Sequence, residues 1–228
     1  MDERIEKRSL EDQATDRLRQ MIVSGEVAAS ERLVETALGN RFGLSRGTVR
    51  AALRRLVDEG LVQQVPYAGY RVVALSDHDL WEIFTLRAAL EGLAARLAAE
   101  RADADNVRAL RAAFESLLAA ARSGDAATTS ARDHALHGEI VALSGHERLQ
   151  RHYTRVANQF RLYVALSNSD QGCSAIGESH RELVEAICAG APDRAERCAR
   201  ENILSPAAVA ANQRRSPGND GGSAQGAA

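Results

Sequence analysis

The chain has 228 residues, is 45% hydrophobic and carries a formal net charge of −2, from 29 Lys/Arg against 31 Asp/Glu. That length and apolar content predict one or two globular domains with substantial cores. No run approaches 18 uncharged apolar residues, which argues against a membrane span, and the start MDERIEKRSL lacks the apolar stretch of a secretory signal.

Cys173, Cys188 and Cys198 are odd in number and lack metal-type spacing, as expected in a reducing cytoplasm. Residues 1–75 hold 12 Arg/Lys and 11 Asp/Glu, and the remainder holds 17 and 20. The informative charge is local. Arg41, Arg46, Arg50, Arg54 and Arg55 follow one another with no acid before Asp58, which points to a polyanionic partner such as nucleic acid.

In chain order, residues 12–24 place Leu18, Met21 and Ile22 at helical spacing, with Gly25 as a stop. A second short helix is predicted over 34–42 with Ala37, Leu38 and Phe42 inward, then a tight turn at Gly43 and Leu44. Ser45 is a good N-cap for a third helix ending at Gly60. Its inner stripe is Val49, Ala52, Leu53 and Leu56, and Arg46, Arg50 and Arg54 recur every fourth residue outside. LVQQVPYAGYRVVAL then reads as two short strands around a turn at residues 66–69.

Three helices followed by a β-hairpin predict a winged helix-turn-helix over residues 1–75. A helix with arginines at i, i+4 and i+8 can lie in the DNA major groove, its first turn at base edges and later residues at phosphates. LSRGTVRAALRRLVDEGLV followed by YAGYRV also resembles the GntR family of bacterial transcription regulators, with Ser45, Arg46, Val49, Arg50, Ala52, Leu53, Leu56, Glu59, Gly60 and Leu61 in register. The resemblance implies that Arg46 and Arg50 read the operator and that the hairpin tip at Gly69 enters the minor groove. Ser45 and Thr48 share that surface, and Arg54 is assigned to phosphate. Thr48 stands where many members have proline and Ala51 where many have glutamate. Ala68 replaces the usual basic residue at the tip, and Thr36 sits where some relatives carry a further DNA-contacting arginine.

From Ser76, which with Asp79 forms a capping-box pattern, nearly everything reads as helix: 77–100, 104–122, 125–143, 146–167, 174–190 and 192–210, with Pro192 opening the last. This predicts a mainly α fold, an antiparallel all-α bundle over 76–212 behind the winged helix, and a disordered tail over 213–228. In the first bundle helix, Leu80, Ile83, Phe84, Leu90 and Ala94 define the core stripe, and Arg87 lies on it with Glu91 one turn later. A buried arginine needs a partner. Two readings stand: an internal ion pair with Glu91, or a cation poised for an anionic ligand, a carboxylate. Arg161, beside Phe160 and Val164, is a second candidate of that kind, or part of a half-exposed helix face.

Asp133 and His137, four apart, project from one helical face as chelating pairs do, with His134 pointing elsewhere, and His180 opens a later helix. With the helical layout of residues 78–210, these positions resemble the FCD ligand-binding domain of FadR-type GntR regulators. That resemblance implies a divalent metal (zinc, nickel or manganese) held by Asp133, His137, His180 and a fourth position. The fourth is Asn202, where many FCD domains have histidine, and an amide oxygen is the weaker ligand.

The whole chain is thus identified as resembling a cytoplasmic, nucleoid-associated homodimeric regulator, a repressor by the family's habit, rather than an enzyme. It is expected to bind a double-stranded pseudo-palindromic operator and a small organic acid effector, with no membrane partner. The alternative from another class is a metal-dependent enzyme using Asp133, His137 and His180 around an activated water. A purely structural DNA-binding protein would have no need of Arg87 and the histidines in a large second domain.

Overall fold

The computed structural model describes residues 8–167 and 173–204. The tail predicted over 213–228 and the end of the helix predicted over 192–210 lie outside the described residues. Helix α1 (Leu10–Val23) starts at Ser9, whose hydroxyl accepts from the Asp12 amide while the Asp12 carboxylate accepts from the Ser9 amide. Helix α2 (Glu35–Phe42) ends at Gly43, whose φ of 65° is the left-handed conformation that closes the turn. Helix α3 (Arg46–Asp58) is capped by Ser45 and buries Val49, Ala52, Leu53 and Leu56, the predicted stripe.

One inward assignment on α2 is corrected: Ala37 is exposed, and Leu38 and Gly39 are the buried pair. The helix is turned so that Gly39 meets the following turn. A Cβ there would lie 2.9 Å from the Leu44 carbonyl oxygen, and the Leu44 amide donates to the Gly39 carbonyl at 2.9 Å.

Strands β2 (Val62–Val65) and β3 (Gly69–Val72) form the predicted hairpin, and β1 (Arg32–Leu33) adds an edge that periodicity cannot show in two residues. The antiparallel order is β1-β3-β2, with Leu33 opposite Tyr70 and Gln63 opposite Arg71. This is the winged helix-turn-helix.

Helix α4 (Asp77–Glu100) carries the Ser76–Asp79 capping box. It is followed by α5 (Ala104–Ser123), α6 (Ala126–Leu143), α7 (Glu147–Ser167), α8 (Cys173–Ser179), α9 (Arg181–Cys188) and α10 (Pro192–Ile203). Small residues set the centre of this bundle: Ala94, Ala95, Ala98 and Ala99 of α4 are buried with Leu110, Leu117, Leu136, Leu183 and Ala195 from the surrounding helices. Cys188 and Cys198 pack against this core as small apolar groups. Among the described residues no helix is long and apolar enough to cross a membrane.

The helix predicted over 174–190 is two helices with a break at His180. The His180 Nδ1 lies 2.8 Å from the Ile176 carbonyl oxygen, one turn back, so the ring folds over the end of α8 and sends its other nitrogen into the bundle. The break falls at the residue whose side chain is so aimed, and nothing local in the sequence marks it.

Candidate functional site

The side chains of Arg46 and Arg50 are 64% and 47% exposed on α3, and Arg54 is exposed one turn further on. The sequence run is unopposed, but the folded surface is not. Glu35, at the start of α2, accepts from Arg50 Nε at 2.7 Å and Nη2 at 2.8 Å, and from Arg46 Nη2 at 3.4 Å. Arg41 pairs with Glu26 and Arg55 with Asp12. Arg54 alone of the five has no acidic partner among the described residues. The Arg50 hydrogen bonds, with help from Arg46, hold the Glu35 carboxyl below its ordinary range, so it stays ionised at neutral pH.

This clamp orients Arg50, and any anion that takes either guanidinium must displace Glu35 from it. Glu35→Gln is therefore expected to raise affinity for random DNA while narrowing the ratio of specific to non-specific binding. Titrations of operator and scrambled duplexes across salt concentration check this, and an unchanged ratio would refute it.

Thr36 and Ser45 are exposed, and Thr48 is half-buried with its hydroxyl 2.9 Å from Ser45 Oγ. The wing tip runs through Tyr67, fully exposed with φ 60°, to Gly69 with φ 86°. Arg71 behind it donates to the Ser30 carbonyl at 3.0 Å.

In the helical domain, the ligand atoms of Asp133, His137 and His180 lie within 4.8 Å of one another. The two imidazole Nε2 atoms face each other at 3.0 Å, with Asp133 Oδ1 at 3.2 Å from His180 Nε2 and 3.8 Å from His137 Nε2. The opposite ring nitrogens decide the tautomers. His180 Nδ1 faces a carbonyl oxygen, which can only accept, so Nδ1 carries the proton. His137 Nδ1 lies 2.5 Å from Glu91 Oε2, and a nitrogen lone pair against a carboxylate at that distance would be repelled. Its proton therefore also sits on Nδ1. Two lone pairs and a carboxylate oxygen then converge, an arrangement that only a cation, a metal ion or an added proton, can hold together.

Asn202 stands one layer back: its amide nitrogen donates to the Ser179 carbonyl at 3.2 Å and lies 3.4 Å from Ser179 Oγ, which is 3.2 Å from His180 Nδ1.

Arg87 and Glu91 are paired at 2.8 Å with side chains 4% exposed each, so the internal ion pair is what the fold contains. Sequence reasoning missed that Glu91 serves two partners, Arg87 through one oxygen and His137 through the other. No spacing rule could show this, because His137 arrives from another helix. Burial pushes the Glu91 carboxyl up, but Arg87 and His137 outweigh it and hold the group down at about 2. The Arg87 guanidinium also stacks over Phe160, 4.0 Å from the ring centroid. Tyr153 is buried beside this cluster with its hydroxyl unpartnered. It lines an open groove of about 220 Å³ between α6 and α7, together with His134, Gly138, Gln150, Thr154 and Asn158. Burial, reinforced by Arg161, pushes the His134 ring down to about 4, so it is neutral. Arg161 is half-buried, and no acidic partner for it exists among the described residues. His78, His146 and His152 are exposed.

A winged helix with a guanidinium face, joined to a helical bundle holding an Asp–His–His trio, defines a DNA-binding transcription regulator with an added helical domain. Comparison with known proteins agrees. Residues 10–72 match the model of bacterial regulatory proteins of the gntR family, and residues 82–205 match the FCD domain. The chain belongs to the GntR family, in its FCD-containing, FadR-type branch.

It is 30% identical over 193 residues to a probable D-xylose utilization operon transcriptional repressor of Paenarthrobacter nicotinovorans, covering 85% of each chain. It is also 30% identical to the HTH-type transcriptional repressor GlaR of Escherichia coli (strain K12), covering 83% of this chain and 90% of that one. Among solved structures, E. coli McbR/YncC superposes with a TM-score of 0.77 at 22% identity, covering 91% of this chain and 99% of that one. These families and relatives are transcription regulators, so the metal-enzyme alternative is not favoured.

Proposed function

We propose that the chain is a ligand-responsive repressor that binds a pseudo-palindromic operator as a homodimer and holds a divalent metal and a small organic acid in its helical domain. The observation carrying the sensing half is the pair of Nε2 atoms of His137 and His180 facing each other at 3.0 Å, with Asp133 beside them. These residues fit a divalent cation: two neutral imidazoles and a carboxylate are a donor set for zinc, nickel or manganese. Glu91 and the Ile176 carbonyl would orient the two rings from behind. Bound there, a metal would supply a Lewis-acid point for an effector carboxylate. Arg161 would add positive charge from α7, whereas Arg87 is already shared with Glu91 and would meet a ligand only by loosening that pair.

The test is elemental analysis of protein purified without a histidine tag. Wild type is expected to carry metal and His137→Ala to carry none, with Asn202→His binding more tightly, by roughly 10–100-fold, because an imidazole is a stronger donor than the amide that stands behind His180. Metal absent from wild type and from Asn202→His alike would show that the trio holds a shared proton instead.

The homodimer is supported by one face of α4, where Leu86 and Leu93, seven residues apart, are 49% and 40% exposed with Ala89 between them. Two copies of such a stripe can pack about a two-fold axis, which matches the symmetry of a palindromic site. Leu86→Asp with Leu93→Asp should give folded monomers by sedimentation velocity and lose most operator affinity. A dimer surviving both charges would place the interface elsewhere.

A further inference from the structure

The core of the DNA-binding domain contains a residue that does not come from it. Leu162 of α7 is fully buried among Leu18, Met21, Leu56, Leu61 and Val72. Two neighbours grip the end of the recognition helix. The Asn158 side chain, 7% exposed, donates to Glu59 Oε2 at 3.4 Å, and Glu59 is the C-cap of α3. Gln159 lies flat on Gly60: a Cβ there would sit 2.9–3.2 Å from its Nε2, Cδ and Cγ. Glu59 is itself held from the other side by Arg19, through two hydrogen bonds of 2.7 Å. The same helix turns Tyr153, Ala157 and Phe160 into its own bundle, with Phe160 under Arg87.

We propose that Asn158, Gln159 and Leu162 are positioning residues for operator binding: they lock each recognition helix to its own helical domain and so set the spacing of the two operator half-sites. The proposal rests on the homodimer reading above. The covalent link between the domains, residues 73–76, is too short to let them part but would let them swing. A second attachment, beginning 82 residues after Ser76 at Asn158 and continuing through Gln159 and Leu162, removes that hinge freedom. None of the three side chains lies on the arginine face, so they act through the placement of α3, and half-site spacing reports the distance between two placed helices.

The test selects operators from a random-sequence duplex library with full-length wild type, with Asn158→Ala/Gln159→Ala, and with Leu162→Ala. Circular dichroism and melting check that each is folded. Wild type is expected to return paired half-sites at one spacing. The variants should return the same half-site sequence over a range of spacings, and bind the wild-type operator about tenfold more weakly, as when only a tenth of the molecules hold the competent geometry. Their affinity for an isolated half-site should be unchanged. A merely structural role would weaken half-site and operator alike, and that result overturns the proposal. So does a single unchanged spacing in a folded variant. The polar double variant keeps the test open if Leu162→Ala fails to fold. If wild type returns only isolated half-sites, the dimer reading fails first and takes this one with it.

Discussion

Arg50→Ala is expected to abolish selective operator binding while leaving the fold and the melting temperature almost unchanged. The side chain is 47% exposed and its partners are the carboxylate oxygens of Glu35, so nothing in the core depends on it. Its place on the second turn of α3, oriented by two hydrogen bonds to Glu35, would suit a guanidinium offered for bidentate contact with a guanine edge. Losing one such contact costs roughly 5- to 150-fold per half-site, and the proposed dimer would lose it twice. Arg54→Ala should behave differently. With no acidic partner, and lying a further turn along, it would weaken every duplex about equally and flatten the salt dependence by about one charge. Operator affinity of the Arg50 variant, measured beside a scrambled duplex, separates the two roles. Unchanged discrimination would remove α3 from the major groove.

Glu91→Ala is expected to be the most damaging single change in the helical domain. Both of its partners are 4% exposed, so truncation strands the Arg87 cation and leaves His137 Nδ1 facing a void. Breaking one side of a buried pair costs about 3–5 kcal/mol. For a chain of this size that is a fall of roughly 6–20 °C in melting temperature. Replacing both members, as Arg87→Met with Glu91→Met, should recover most of the loss, because no uncompensated charge remains.

The pH dependence has a definite sign. Glu91 is depressed from its ordinary 4.5 to about 2, so its contribution is complete above pH 4.5 and disappears as the pH falls toward 2. The stability gap between wild type and Glu91→Ala should close over that window. A gap that persisted at its acid end would mean that Glu91 acts through shape and not through charge. In variants that stay folded, uptake of the proposed metal should also weaken, since His137 has lost the group that fixes its ring.

Several parts of this protein follow from local chemistry and were legible in the amino-acid sequence. Ser9 with Asp12, Ser45, and Ser76 with Asp79 cap three helices because a short hydroxyl can reach an amide three residues on, whatever the rest of the chain does. The four-residue spacing of Arg46, Arg50 and Arg54 places them on one face of a helix, and the same geometry pairs Asp133 with His137. Tertiary structure decided what those groups meet. Glu35 crosses from α2 to cover arginines that look unopposed in sequence, and His180 arrives 43 residues after His137 through a helix break with no local signal. Glu91 serves a second partner on another helix, and Leu162 completes a core belonging to the other domain. Helix and strand periods report which way a side chain faces within its own element. Which element comes to face it depends on how whole surfaces pack, and that information is spread over both partners.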